Sequence, residues 1–262
     1  MNPHTQLDLS PDMPGGIGAI PLSDAVARVV AFCTHPKSGW QTYDMLGAAA
    51  RRRGHFDEIA PWSLLWADTL AGRLSVSDVA GFTHELRSEL VRRLQVLPDK
   101  DLAAMDDDDI ASLTLLCRFG FSGVWAPKIT KMLALYRPDS VPVLDGYVAI
   151  AMGFTRNGFS SGKEPRWERI HQTLLALRRI LRHQHSELAQ IRREVSLTVP
   201  DISEATDLRL LDIIIWTSQD DRMSRPGSSA NFWLNRPQQE YRPVCLDPVM
   251  LQCRQHPEMC GR

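Results

Sequence analysis

The sequence lacks any apolar run long enough to cross a bilayer, which takes about 20 consecutive apolar residues. Its first residues, MNPHTQLDLSPDMPGG, also lack the basic stretch followed by an apolar one that marks a signal peptide. These absences argue against a membrane partner and favour a cytoplasmic location. The chain still has 262 residues, of which 44% are hydrophobic, and this is ample for a packed core.

Neither sign of charge is in excess. The 30 basic and 31 acidic residues give a formal net charge of −1, so a polyanion would have to bind at a local basic patch. Cysteine is also sparse, with five residues at positions 33, 117, 245, 253 and 260. A small odd number in a long chain is typical of reduced thiols and not of a disulfide framework.

Zinc-type ligands gather in the C-terminal segment CLDPVMLQCRQHPEMC, which contains Cys245, Cys253, His256 and Cys260. Their C-x7-C-x2-H-x3-C spacing matches no common zinc finger. We therefore interpret the cysteines as free thiols, with a bound metal as the less favoured alternative. We predict neither a metal nor a cofactor.

Strand-like alternation is nearly missing, whereas helical spacing recurs along most of the chain, so we predict a mainly α fold. Residues 1–20 are rich in Pro, Gly and Asp and predict a flexible N-terminal tail. Residues 21–218 are predicted to form the helical domain. Residues 219–262 are Pro-rich and aperiodic, which predicts an irregular C-terminal extension packed on that domain. The acidic run from Asp106 to Asp109 predicts the start of a helix.

The longest helical pattern covers residues 166–195 and predicts one helix or two. Its non-apolar faces are basic and include Arg178, Arg179 and Arg182. Such a flank is usually solvated surface, and contact with nucleic-acid phosphates is the alternative.

A single acid stands between two apolar runs in SVPVLDGYVAIAMG, which covers residues 140–153. Pro142 favours an extended backbone before Asp145, and the residues that follow have the composition of a buried helix. Helix capping alone would explain an aspartate at this point. A role in catalysis is the alternative, and the segment in front of Asp145 favours it.

That segment, GFSGVWAPKITKMLALYRPDSVPVLDGYV, resembles the helix-hairpin-helix DNA glycosylase superfamily, and around PVLDGYV it is most similar to adenine DNA glycosylases. Gly123 and Val124 match the hairpin of that family, whereas Trp125 stands where a second glycine is expected. The resemblance implies a two-lobed helical fold with an active-site cleft between the lobes. It also implies a monomer that binds double-stranded DNA through the hairpin residues and neighbouring basic residues such as Lys131.

The resemblance further implies a chemistry. Asp145 would stabilise the positive charge that develops on the sugar when the base leaves, and would orient the attacking water. Asp68 falls near the position of the acid that protonates the base in adenine glycosylases. Lys128 is the candidate nucleophile for a lyase step, with Lys131 as its competitor, and we favour a monofunctional enzyme.

A flipped base also needs a pocket. The candidate stacking residues are Tyr43, Trp62, Trp66 and Tyr147, although aromatic side chains are more often part of a core. The base that is excised does not follow from the sequence, nor does the choice between DNA repair and defence. The alternative function is a non-catalytic DNA-binding or scaffold protein in which Asp145 only caps a helix.

Overall fold

The computed structural model describes residues 5–36, 38–121, 123–160 and 166–219. These residues form a mainly helical protein, as the sequence predicts. The α-helices are α1 Leu22–Thr34, α2 Leu46–Arg52, α3 Val76–Ala80, α4 His84–Val96, α5 Asp107–Cys117, α6 Ala126–Tyr136, α7 Gly146–Ala151, α8 Arg166–His183, α9 His185–Ser196 and α10 Asp207–Gln219. Tighter or wider turns complete the helical segments: 3-10 helices at Pro61–Leu70, Leu102–Ala104 and Pro200–Glu204, and a π-helical turn at Trp40–Met45.

The N-terminal residues are ordered and packed, so the prediction of a flexible tail is wrong for residues 5–20. Two short strands, β1 Gln6–Asp8 and β2 Ala19–Pro21, pair antiparallel with Leu7 opposite Ile20. Leu7 and Leu9 are completely buried, and Met13 nearly so. A few well-spaced apolar side chains thus bury enough surface to order a segment whose average composition is that of a loop.

The helix starts follow the local sequence closely. The Asp106 carboxylate accepts a hydrogen bond from the amide of Asp109, and the Asp109 carboxylate accepts one from the amide of Asp106. This reciprocal cap confirms the acidic run as a helix start. Ser75 and Asp78 form the same reciprocal cap on α3. Each cap satisfies amide groups that a helix leaves without partners in its first turn.

The core lies where α10 packs against α1, α7 and α9, and where α5 packs against α8. Three consecutive isoleucines of α10, residues 213–215, are completely buried. The basic pattern of residues 166–195 forms two helices, α8 and α9. Within the described ranges, no helix has both the length and the apolar character needed to cross a membrane. The predicted C-terminal extension, with Cys245, Cys253, His256 and Cys260, lies outside the described residues from position 220 onward.

Candidate functional site

A helix, a tight turn and a second helix precede Asp145. After α5 ends, Phe121 and Val124 exchange two backbone hydrogen bonds, of 2.8 and 2.9 Å. Gly123 within this turn has a φ of +79°, a left-handed conformation that favours glycine. Trp125 then precedes α6, and Pro127 lies in the first helical turn, where its missing amide hydrogen costs nothing.

Asp145 caps the helix that follows. The connector before it is held on α6 by a hydrogen bond of 3.0 Å from the Leu144 amide to Thr130 Oγ1. Asp145 Oδ1 accepts hydrogen bonds from the amides of Tyr147 and Val148, at 2.8 and 3.2 Å. Its second oxygen, Oδ2, has no hydrogen-bond partner among the described residues, and the residue is half-buried. Both capping hydrogen bonds therefore end on Oδ1, and Oδ2 takes no part in the cap.

Lys128 forms an ion pair that connects α6 to α3. Its Nζ lies 2.7 Å from Asp78 Oδ2, and the Asp78 side chain is buried. Burial alone would raise the pKa of Asp78, but the hydrogen bonds from Lys128 and Ser75 hold that pKa below its usual value. A β-carbon at Gly123 would lie 2.4 Å from Asp78 Oδ1, so this carboxylate closely approaches the hairpin.

Lys131 lies one helical turn after Lys128 on α6 and is buried. It is only 8% exposed, and its Nζ donates a hydrogen bond of 2.7 Å to the Leu70 carbonyl. Burial lowers the pKa of Lys131, and the negative charges of Asp145 and Asp212 partly oppose this shift. Of the two lysines that the sequence offers, Lys131 is bound to the Leu70 carbonyl, and Lys128 is bound to Asp78 of α3.

A buried charge network beside Lys131 was not anticipated from the sequence. Arg209 donates two parallel hydrogen bonds to the two oxygens of Asp44, at 2.7 and 2.9 Å, and a third to Asp212. Burial raises the pKa of Asp212, the Arg209 charge lowers it, and the Asp145 charge raises it further. The signal available in the sequence was the pair Arg209 and Asp212, three apart within the otherwise apolar run LRLLDIII.

The aromatic residues predicted to form a base pocket have separate partners. Tyr43 is 2% exposed and its hydroxyl donates to the Lys131 carbonyl, so it belongs to the core. The Tyr147 ring packs against Trp216, with 5.4 Å between ring centroids. Trp66 packs against Phe56, at 5.7 Å. Trp62 is 42% exposed. Among the residues that the structure describes, these four share no stacking partner.

The remaining acid, Asp68, is exposed and lies two residues before Leu70. Its Oδ1 accepts a hydrogen bond of 3.1 Å from the Leu74 amide, which closes the loop after Pro61–Leu70. The same loop supplies the Leu70 carbonyl that holds Lys131. Asp68 therefore lies on the same segment as the carbonyl group that binds Lys131.

The arginines on the basic flank of α8 bind acceptors within the chain, whereas the sequence suggests solvated surface or, as the alternative, contact with nucleic-acid phosphates. Arg178 donates to the Met105 carbonyl and to Asp107 Oδ1, at 3.1 and 2.7 Å. Arg182 donates to the carbonyls of residues 103 and 105. Arg179 pairs with Asp12 at 2.5 Å. These arginines join α8 to the start of α5 and to the N-terminal segment.

A small cleft opens beside the charge network. Its volume is about 40 Å³, and its lining includes Tyr43, Asp44, Pro142, Val143, Arg209 and Asp212. Since a buried water needs about 10–15 Å³, the cleft has room for two or three waters. A nucleobase does not fit in the cleft as it stands.

The fold and the site define a mainly helical protein in which a tight turn joins α5 to α6 and a buried charge network links Asp44, Arg209 and Asp212. Over residues 24–219 the chain matches DUF6308, a family of unknown function, and it belongs to this family. No curated protein and no solved structure matches the chain.

Proposed function

We propose that the protein is a DNA glycosylase that hydrolyses the bond between deoxyribose and a damaged or modified base. The observation that carries this proposal is the Asp145 carboxylate, which caps α7 through Oδ1 and leaves Oδ2 without a hydrogen-bond partner among the described residues. The path from hairpin to α6 to connector to capping aspartate is the order that the resemblance implies. The finer expectation of a two-lobed glycosylase fold is part of this proposal.

In the proposed reaction, the nucleotide leaves the duplex and its sugar approaches Asp145 Oδ2. As the base departs, positive charge develops at C1′ and the carboxylate stabilises it. The apolar side chains of Val143, Leu144 and Val148 are buried next to Asp145, so this charge interaction is little screened by water. The base leaves with the electron pair of the broken C1′–N bond. A water then attacks C1′, and its proton passes by way of the carboxylate to the departing base, which regenerates the carboxylate.

A flipped base requires more room than the cleft of about 40 Å³ provides. The proposal therefore includes an opening of the site when DNA binds. The loop of residues 68–74 is the element we expect to move, because its attachment to α6 includes the single hydrogen bond from Lys131 to Leu70. Movement of this loop would release the Lys131 ammonium group toward Asp145.

We propose a monofunctional enzyme that acts as a monomer on double-stranded DNA in the cytoplasm. Lys128 is held by Asp78 and is not placed for attack on the sugar that Asp145 faces. A lyase step would require Lys131 or Lys128 to leave its present acceptor, the Leu70 carbonyl or Asp78. The second candidate function, a non-catalytic DNA-binding or scaffold protein, is favoured by the small cleft and by the capping role of Asp145.

A screen for base release tests the proposal. The purified protein is incubated with DNA duplexes that each carry one oxidised, deaminated, alkylated or hypermodified base, and the released bases are identified by mass spectrometry. We expect one class of base to be released, leaving an abasic site. Binding to DNA without release of any base would instead support the scaffold function.

A further inference from the structure

Helices α5 and α8 run antiparallel in a register that the contacts between them define. Asp107 pairs with Arg178 at 2.7 Å, and seven residues further along α5 the Thr114 hydroxyl lies 3.1 Å from His171 Nδ1. A further step of four residues, about one helical turn, along each helix brings Arg118, just after the end of α5, to the first turn of α8. Arg118, which follows α5, therefore lies beside Arg166 and Trp167.

Arg166 and Arg118 are two neighbouring cations that form no ion pair within the described ranges. The Arg166 guanidinium lies over the Trp125 ring, 4.4 Å from its centroid. Its Nη1 is enclosed and has no hydrogen-bond acceptor among the described residues. Burial and the nearby charge of Arg118 both lower the pKa of Arg166. Neither arginine forms an ion pair with any of the described residues.

This arrangement contrasts with the arginines further along α8. Arg178, Arg179 and Arg182 each donate to a carbonyl or carboxylate of the same chain. Two adjacent guanidinium groups without such acceptors repel each other, and this repulsion is relieved when an anion binds between them. Glu168 is exposed on the same helical turn and offsets part of the charge, but one positive charge remains.

Aromatic surface lies next to the two cations. Trp167 is 38% exposed and stacks on His171, with ring centroids 5.0 Å apart and planes within 6° of parallel. Trp125 is half-buried beneath Arg166. Guanidinium groups bind phosphate through two parallel hydrogen bonds, and exposed aromatic rings stack on bases. The combination is typical of a surface that binds nucleic acid rather than an isolated anion.

We propose that Arg118 and Arg166 bind one backbone phosphate of a DNA strand, and that Trp167 packs against the adjoining nucleotide. The inference rests on the proposed function, because it assigns the DNA contacts of the same enzyme. The position is suited to that role, since Trp125 immediately precedes α6, and α6 leads to the connector that ends at Asp145. The DNA contact thus moves from the middle of α8 to the junction of α5, the hairpin and α8.

The test measures binding of a fluorescent DNA duplex by anisotropy over a range of salt concentrations. The variant Arg118→Ala with Arg166→Ala should bind at least tenfold more weakly at low salt. Its slope of log affinity against log salt should fall by about one, as expected when one phosphate contact is lost. The control, Arg53→Ala with Arg193→Ala, removes two exposed arginines that have no ion pair in the described residues, and should leave affinity and slope unchanged.

A second variant guards against misfolding. Arg118 is exposed, so Arg118→Glu should fold normally and should weaken duplex binding more than Arg118→Ala. Parallel titrations with inorganic phosphate and with vesicles containing an anionic phospholipid distinguish the sources of a phosphate group, and DNA alone should bind with sub-millimolar affinity. Unchanged DNA binding in both arginine variants would overturn the inference. So would vesicle binding by the parent that the arginine variants lose while their DNA binding stays intact.

The two proposals fail in different ways. If the arginine variants lose DNA binding while the parent releases no base from any duplex, the phosphate site stands and the glycosylase function fails. If the parent releases a base and the arginine variants bind and react as it does, the glycosylase stands and the phosphate site fails.

Discussion

The amide of Gly15 donates a hydrogen bond of 2.8 Å to the carbonyl of Ala151, the last residue of α7. The N-terminal segment is thereby attached to the C-terminal end of the helix whose N-terminal end Asp145 caps. A β-carbon at Gly15 would lie 1.8 Å from the Ile150 carbonyl oxygen and 2.6 Å from that of Ala151. The close approach of these two backbones therefore requires glycine.

Replacing Gly15 with alanine should destabilise the protein by about 2–3 kcal/mol, because the backbone must shift to relieve the overlap. Gly18→Ala is the matched control, since a β-carbon there would have no neighbour within 4 Å. The control should leave stability unchanged or raise it slightly. Urea unfolding at neutral pH measures both variants, and equal midpoints for the two would show that the N-terminal segment does not pack as described.

Asp145→Asn should keep the fold and lose base release by a factor of about a hundred or more, because the charge that stabilises the transition state is gone. Asparagine can still cap α7, so the stability loss should stay within about 1 kcal/mol. Asp106→Asn changes the capping aspartate of α5 in the same way and should retain full activity. Single-turnover base release, a melting curve and a DNA-binding titration are measured on each preparation. An active, folded Asp145→Asn protein would leave Asp145 as a helix cap only.

The ion pair between Lys128 and Asp78 should make the free energy of unfolding depend on pH in the acidic range. The pKa of Asp78 is lower in the folded protein than in an unfolded chain, so its contribution is complete above about pH 4 and is lost as pH falls through the folded value. Asp78→Asn should therefore be less stable than the parent at pH 7, and the difference should shrink toward pH 3. Urea midpoints at the two pH values provide the measurement. A difference that stays constant would mean that the charge of Asp78 does not stabilise the fold.

Borohydride reduction in the presence of a substrate duplex should trap no covalent adduct. Lys128 is paired with Asp78, and Lys131 donates to the Leu70 carbonyl, so neither amine is free to attack C1′ in this structure. An adduct that disappears in Lys131→Gln and persists in Lys128→Gln would show that the site opens far enough for a lyase step. Denaturing gel electrophoresis resolves the adduct from free DNA.

The parts of the structure that depend on neighbouring residues in the chain were predictable. The capping aspartates Asp106 and Asp145, and the turn at Gly123, follow from side chains that act within three residues of their own position. The packing of Leu7 and Leu9 did not follow, because composition averages over the few residues that bury. The arginines of α8 were ambiguous for a related reason: their acceptors lie on segments about 70 or more residues away, which a pattern within one helix does not reveal.

The bond between Asp44 and Arg209 joins residues 165 positions apart. It joins the π-helical turn at Trp40–Met45, early in the helical domain, to α10, the last helix described. Tyr43 of the same turn donates a hydrogen bond to the Lys131 carbonyl. Such a contact has a high sequence separation, so the chain loses loop-closure entropy before the contact can form. A fragment that ends before α10 would leave Asp44 without its partner and Lys131 without the charge of Asp212. The charge network of Asp44, Arg209 and Asp212 therefore forms only in a chain that extends through α10, and any truncated version of this protein must include that helix.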